Sequence, residues 1–179
     1  EKAHLREEQK LILGVASVWT INKGYDDFLK LRRLLDDEYV FCMVGLNNKQ
    51  IKNLPKGIIG VKKTDSLQEL AAYYSAADVF LNLTYEDTFP TTNIEALACG
   101  TPVITTQGTP WKELESNHCG WWTAIGTEAT TKALKDFLQQ TETQLEQMGR
   151  NGRKLVEEKY SSQKMAYDMV NLYRKILEQ

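Results

Sequence analysis

Tyr85-Glu-Asp-Thr-Phe-Pro-Thr-Thr-Asn-Ile-Glu-Ala-Leu-Ala-Cys-Gly-Thr-Pro-Val-Ile-Thr-Thr106 is the stretch on which the reading of this chain turns. An apolar strand, Asp78 to Leu83, runs into it, and a second, Pro102 to Thr105, follows. Between them the sequence places a polar loop, a short helix, Gly100 and a proline that cannot continue a helix. Pro90 has its φ already near the helical value, so a helix is expected to begin at Thr91 and Thr92. Its first amides lack acceptors within the helix and face the loop, together with the positive end of the helix dipole. A phosphate suits that position. Glu86, Asp87 and Glu95 stand around it, and carboxylates suit hydroxyls better than phosphate oxygens. The stretch therefore reads as a place for a sugar attached to a phosphate.

The rest of the chain alternates in the same way. Leu11 to Ala16 is an unbroken apolar run, as expected of a strand covered on both faces. Tyr25 to Leu35 shows helical spacing, and Tyr39 to Val44 is a second strand. Asn47 to Leu54 is expected to be a short helix ended by Pro55, and Gly57 to Val61 a third strand. Ser66-Leu-Gln-Glu69 reads as a capping box opening a helix over Leu67 to Ala76. Beyond the central stretch come one or two helical turns at Trp111 to Ser116 and a short strand at Gly120 to Thr123. Helices are expected over Thr127 to Gln140, Thr141 to Lys159 (with a second capping box, Thr141 to Gln144) and Ser162 to Gln179. On the last, Met165, Met169, Leu172, Ile176 and Leu177 form an apolar stripe expected to join the core. Strands alternating with helices across short loops imply right-handed crossovers. The fold class is α/β, a Rossmann-like doubly wound parallel sheet of about six strands. Loops 16–24, 62–66, 83–91 and 106–111 then share the carboxyl edge of the sheet, where such folds bind ligands.

At 179 residues, 42% of them hydrophobic, the chain fits one domain over residues 1–179 with a substantial core. Its formal charge is 22 − 24 = −2, with basic residues scattered, which argues against a nucleic-acid partner. The apolar runs are too short to span a bilayer, and Glu1 to Lys10 is too charged for a signal peptide. Cys42, Cys99 and Cys119 form no close pair and read as small hydrophobes in a reducing, cytoplasmic setting. His4 and His118 are too few and too far apart for a metal cluster, so no metal is expected.

Asp87-Thr-Phe-Pro-Thr-Thr-Asn-Ile-Glu95, followed by Ala-Leu-Ala-Cys-Gly-Thr-Pro-Val-Ile, resembles the acid-x7-acid signature of retaining, family-4-like glycosyltransferases with the GT-B fold. The commoner pattern has Glu at both ends and Gly at the place of Pro90; here Asp87 is the first acid, with Glu86 beside it. The resemblance covers the chain from about Leu11 to its end. It implies a nucleotide-sugar donor, UDP- or GDP-linked, and no metal or other cofactor. It implies that Lys23, in Lys23-Gly24, holds the pyrophosphate, while Asp87, with Glu86 as second choice, contacts the transferred sugar. Lys23 and Asp87 are thus the expected catalytic pair. Phe89, Pro90, Thr91 and Thr92 would complete the donor site, and Glu95 would bind ribose hydroxyls. Glu95 has a rival reading, since Thr92-Asn-Ile-Glu95 is itself a capping box. Lys23 near a helix start opposes the helix dipole, a misfit that favours function. The family's arginine five residues before the lysine is Val18 here, with Lys62 and Lys63 as candidate substitutes. Asp65 and Ser66 fall where relatives hold the base. Trp111 is expected to pack rather than bind, and Trp19 is either lid or core anchor.

GT-B enzymes pair two such domains, and this chain resembles the C-terminal, donor-binding one. Its last helix resembles the segment that returns toward the N-terminal domain, which binds the acceptor. The implied whole is a cytoplasmic hexosyltransferase of bacterial polysaccharide or lipopolysaccharide assembly. Its acceptor would be a glycan or lipid-linked one, met at the inner membrane face, and the donor domain alone would not turn over. A nucleotide-sugar epimerase half and a non-catalytic binding or scaffolding module are the competing readings.

Overall fold

The computed structural model describes residues 9–36 and 38–178. Along the chain run β1 (Lys10–Val15), α1 (Tyr25–Leu34), β2 (Tyr39–Val44), α2 (Asn48–Lys52), β3 (Ile58–Val61), α3 (Leu67–Ala76) and β4 (Val79–Asn82). Then come α4 (Thr91–Ala98), β5 (Val103–Thr106), α5 (Glu113–Ser116), β6 (Gly120–Thr123), α6 (Thr127–Leu138), α7 (Glu142–Lys159) and α8 (Ser162–Leu177). All neighbouring strands are parallel, in the order β3-β2-β1-β4-β5-β6. This is the Rossmann-like sheet expected from the sequence. The order reverses between β1 and β4, so the loops leaving these two strands part to opposite faces and open a crevice between them.

Side-chain alternation along the strands sorts the core into two layers. Ile12, Phe41, Met43, Val79, Leu81 and Ile104 face α1 and α6, meeting Phe28, Leu31, Leu134 and Phe137. Leu11, Leu13, Cys42, Val44, Phe80 and Val103 point the other way, to Tyr74, Leu97, Leu114 and Leu155 on α3, α4, α5 and α7. Both faces being covered explains why the strands are apolar runs rather than alternating ones.

Helix starts follow the local chemistry, with one shift. Thr141 and Gln144 form the reciprocal capping box foreseen for α7, and Asn47 and Gln50 form another at α2. Ser66 Oγ does accept the Glu69 amide at 3.1 Å, but the Glu69 carboxylate turns to the Asp65 amide at 2.9 Å. The expected box at α3 is thus opened by one residue, because a glutamate is long enough to take the preceding amide as readily.

α8 departs from expectation. Met165, Met169, Leu172 and Ile176 are 61, 46, 55 and 58% exposed, and Leu177 is 85% exposed. The stripe is not core: spacing shows that a helix has an apolar face, not that this chain covers it. Cys42 and Cys119 are buried as expected, while Cys99 is half-buried at the end of α4.

α4, which carries the central stretch, is held from behind by α7. A Cβ on Gly149 would stand 2.3 Å from the Gly100 carbonyl oxygen, and one on Gly152 would stand 2.6 Å from Leu97 Cδ2. The two glycines let the helix backbones meet. Gly149→Ala is therefore expected to lower unfolding free energy by about 1–3 kcal/mol through overpacking. The same change at an unencumbered helix site would raise it by up to about 1 kcal/mol, so urea denaturation tests the sign.

Candidate functional site

A cleft opens at the carboxyl edge between β1 and β4. Its walls include Ser17, Trp19 and Lys23 from the loop after β1, Asn82 and Thr84 at the end of β4, Asp87, Phe89 and Pro90 from the next loop, and Thr91 and Thr92 of α4. Six of the expected site residues (Lys23, Asp87, Phe89, Pro90, Thr91 and Thr92) are thereby brought to one crevice from positions far apart in sequence.

Lys23 and Asp87 are in contact. Lys23 Nζ donates to Asp87 Oδ2 at 2.6 Å, and the two side chains remain 34 and 23% exposed. Asp87 Oδ1 accepts the Phe89 amide at 3.0 Å, while the Asp87 amide donates to the Gly108 carbonyl at 2.9 Å. The carboxylate is thus pinned by its own loop, and the flexible lysine comes to it. Burial alone would raise the Asp87 carboxyl's pKa, but the Lys23 hydrogen bond, then the Phe89 and Thr88 amides, outweigh it and hold the group below its ordinary value. The lysine near the start of α1 therefore has a carboxylate opposite it, which offsets its conflict with the helix dipole.

Gly24 makes this possible. It is the N-cap of α1 with φ 72°, a left-handed backbone, and a Cβ there would stand 2.4 Å from Leu83 Cβ. The two loops are further stitched together by Tyr85 N–H to the Asn22 carbonyl at 2.8 Å and by Tyr85 Oη to Asp27 Oδ2 at 2.6 Å.

At the start of α4 the N-cap is Pro90, which has no side-chain acceptor to offer, whereas α2, α3, α7 and α8 carry polar caps. Thr91 and Thr92, whose amides are orphaned by helix geometry, are on the cleft wall. No box forms between Thr92 and Glu95. Because the helix begins at Thr91, Thr92 is already inside it and cannot act as a cap. Glu95 instead accepts the Tyr74 hydroxyl at 2.9 Å and does not line the cleft. Glu86 is exposed, also off the cleft wall, and its carbonyl accepts from Asn22 Nδ2 at 3.2 Å.

The surrounding aromatics divide as well. Trp19 is 5% exposed, donates Nε1 to the Val44 carbonyl at 2.8 Å and packs edge-on against Phe28, so it is a core anchor with one edge in the cleft. Trp111 is 2% exposed and packs, as expected. Phe89 is 50% exposed and rests against Trp111 and against Tyr160, whose hydroxyl donates to Glu113. Val18 is 65% exposed; Lys62 and Lys63 are exposed and off the cleft wall, as are Asp65 and Ser66. Among the described residues no group of three or more His, Cys, Asp or Glu could hold a metal.

Sequence reasoning missed the buried polar clasp beneath the cleft. Asn93, 0% exposed, accepts from Asn82 Nδ2 at 2.9 Å, and Asn82 Oδ1 in turn accepts the Thr84 amide at 3.1 Å and the Thr84 hydroxyl. The Thr106 hydroxyl donates to the Thr84 carbonyl. The signal was an asparagine on the apolar side of a helix, within one turn of its start.

The chain belongs to the glycosyl transferases group 1 family, which it matches over residues 1–155. It is 29% identical over 113 residues to alpha-galactosylglucosyldiacylglycerol synthase of Streptococcus pneumoniae, covering 56% of this chain and 29% of that protein. Its fold is similar to that of sucrose-phosphate synthase from Thermosynechococcus elongatus, with TM-score 0.83 and 24% identity over 97% of this chain and 47% of the other. It is also similar to Anabaena HepE solved with UDP-glucose, with TM-score 0.73 and 16% identity over 90% of this chain and 49% of the other. The chain thus spans less than half the length of each of these proteins.

Asn93→Ala would strand the Asn82 amide in a buried site. The expected cost is about 1–3 kcal/mol of stability, measured by denaturant unfolding.

Proposed function

We propose that this chain is the donor-binding domain of a retaining glycosyltransferase that passes a hexosyl group from a UDP- or GDP-sugar to a glycan or lipid-linked acceptor. The observation that carries the reading is the meeting of Lys23, Asp87 and the uncapped start of α4 in one cleft at the reversal between β1 and β4. Family membership and the UDP-glucose complex of HepE support it. A lipid-linked acceptor is in keeping with the diacylglycerol glycolipid named for the streptococcal relative.

Breaking the bond between an anomeric carbon and a diphosphate builds negative charge on the departing oxygens. Lys23 and the Thr91 and Thr92 amides are the groups placed to receive that charge, and pre-oriented donors of this kind are each worth roughly 10²–10³ in rate. With a cation and helix-end amides already there, the diphosphate needs no metal. Gly24 fixes the turn that carries Lys23, Pro90 starts the helix, and Phe89 bounds the sugar end of the cleft. Asp87 is the acceptor for hydroxyls of the transferred hexose, with Glu86 next to it. Glu95, half-buried on α4 and off the cleft wall, would serve the ribose hydroxyls with the same carboxylate that accepts from Tyr74.

We place the whole enzyme in bacterial polysaccharide or lipopolysaccharide assembly. The acceptor would be bound by a second domain packed on the exposed apolar face of α8, leaving this domain alone without turnover. The proposed setting is cytoplasmic, with peripheral contact at the inner membrane face; no described helix is long and apolar enough to cross a membrane. Exposed Val18, standing where relatives carry an arginine, favours a second reading, a binding module that holds the nucleotide sugar without transferring it.

Calorimetry with UDP, GDP and their sugars, without added metal, tests the first reading. Binding is expected, and Lys23→Ala should weaken it about tenfold or more, the ordinary worth of a hydrogen bond to a charged group. Absence of nucleotide binding at millimolar ligand, or a Lys23→Ala variant indistinguishable from the parent, would contradict it.

A further inference from the structure

The Lys23–Asp87 contact sets a difficulty for the site as read above. The two residues are meant for different parts of the donor, the diphosphate and the sugar, yet here each occupies the other. A diphosphate that takes Lys23 leaves Asp87 behind, and the carboxylate cannot follow, because Phe89 N–H and the Gly108 carbonyl fix it in its loop. It is left with backbone amides as its remaining partners. The cost of that stranded charge depends on the ligand. An intact nucleotide sugar brings hydroxyls that can donate to Asp87; a bare nucleoside diphosphate brings none.

Resting on the proposed donor-site reading, we infer that Asp87 is a specificity-determining residue that makes the cleft prefer the intact nucleotide sugar over the nucleoside diphosphate. The ion pair acts as an internal competitor to phosphate. Donor binding exchanges one Lys23–carboxylate contact for two, lysine to phosphate and hydroxyl to carboxylate. Loss of the sugar removes the second, Asp87 reclaims Lys23, and the diphosphate is held less firmly. The same aspartate that grips the hexose thereby helps to expel the spent carrier. The exchange is carried by the lysine, whose long side chain is 34% exposed and free to swing, rather than by the backbone.

The test is Asp87→Asn, in calorimetric titrations of UDP against UDP-glucose and of GDP against GDP-mannose. Asparagine keeps an oxygen for the Phe89 amide and removes the charge that competes for Lys23. A partly exposed ion pair is worth about 1 kcal/mol or less, so the gain for the diphosphate is modest, about two- to fivefold tighter in the variant. The nucleotide sugar shares that gain but loses a charged acceptor worth about tenfold, so it should bind about two- to fivefold more weakly and the two ligands move in opposite directions. Asp87→Ser, which also keeps an acceptor for the loop amide, should behave alike, and melting temperatures near the parent's would show both variants folded. A folded variant that binds the diphosphate no more tightly than the parent, or holds the sugar nucleotide equally well, would overturn the inference while leaving the donor site standing. If the parent binds neither member of either pair, the donor-site reading falls, and this one with it.

Discussion

The site exists because β1 and β4 lie side by side while the chains leaving them part. In a parallel sheet, loops at one edge cannot fill the gap where strand order reverses, since the helices that follow lie on opposite faces. α1 goes to one layer of the core and α4 to the other, and the crevice between their starts is what the remaining loops decorate. Lys23 enters from one side and Asp87 from the other, and their 2.6 Å contact spans the crevice.

Holding such a crevice open and in register requires polar groups in places that would otherwise be apolar. Asn82, Asn93, Thr84 and Thr106 form a chain of hydrogen bonds beneath the loop, tying the end of β4 to α4 and β5, with Asn93 Nδ2 left buried at its end without a partner. A buried polar set of this kind contributes geometry more than net stability, because its members mostly exchange water for one another. The close seat of α7 on α4, through Gly149 and Gly152, keeps the helix from tilting away. Phe89, resting on Trp111 and Tyr160, joins the cleft rim to the junction of α7 and α8.

Much of this was legible in the chain. Apolar runs bounded by turn residues located every strand, since a doubly covered strand has no polar face to confuse its period. Pro90 marked the start of α4. Pairing was not legible: the family resemblance implies separate duties for Lys23 and Asp87, and only the packing of two distant loops reveals that they meet. Two capping readings failed for a related reason. Glu69 and Glu95 had competing partners, the Asp65 amide and the Tyr74 hydroxyl, that a four-residue pattern does not see. The stripe on α8 shows the reverse limit, since periodicity identifies an apolar face but says nothing of what covers it.

The claim beneath all of this is that a diphosphate rests between Lys23 and the first amides of α4. Titration of the isotopically labelled domain with UDP, followed amide by amide in nitrogen–proton correlation spectra, addresses it directly. Shifts should concentrate in segments 16–24 and 84–92, with Thr91 and Thr92 among the largest. Shifts gathered instead around Trp121, Gln140 and Gln147, at the groove beside β6, with the α4 amides unmoved, would contradict it.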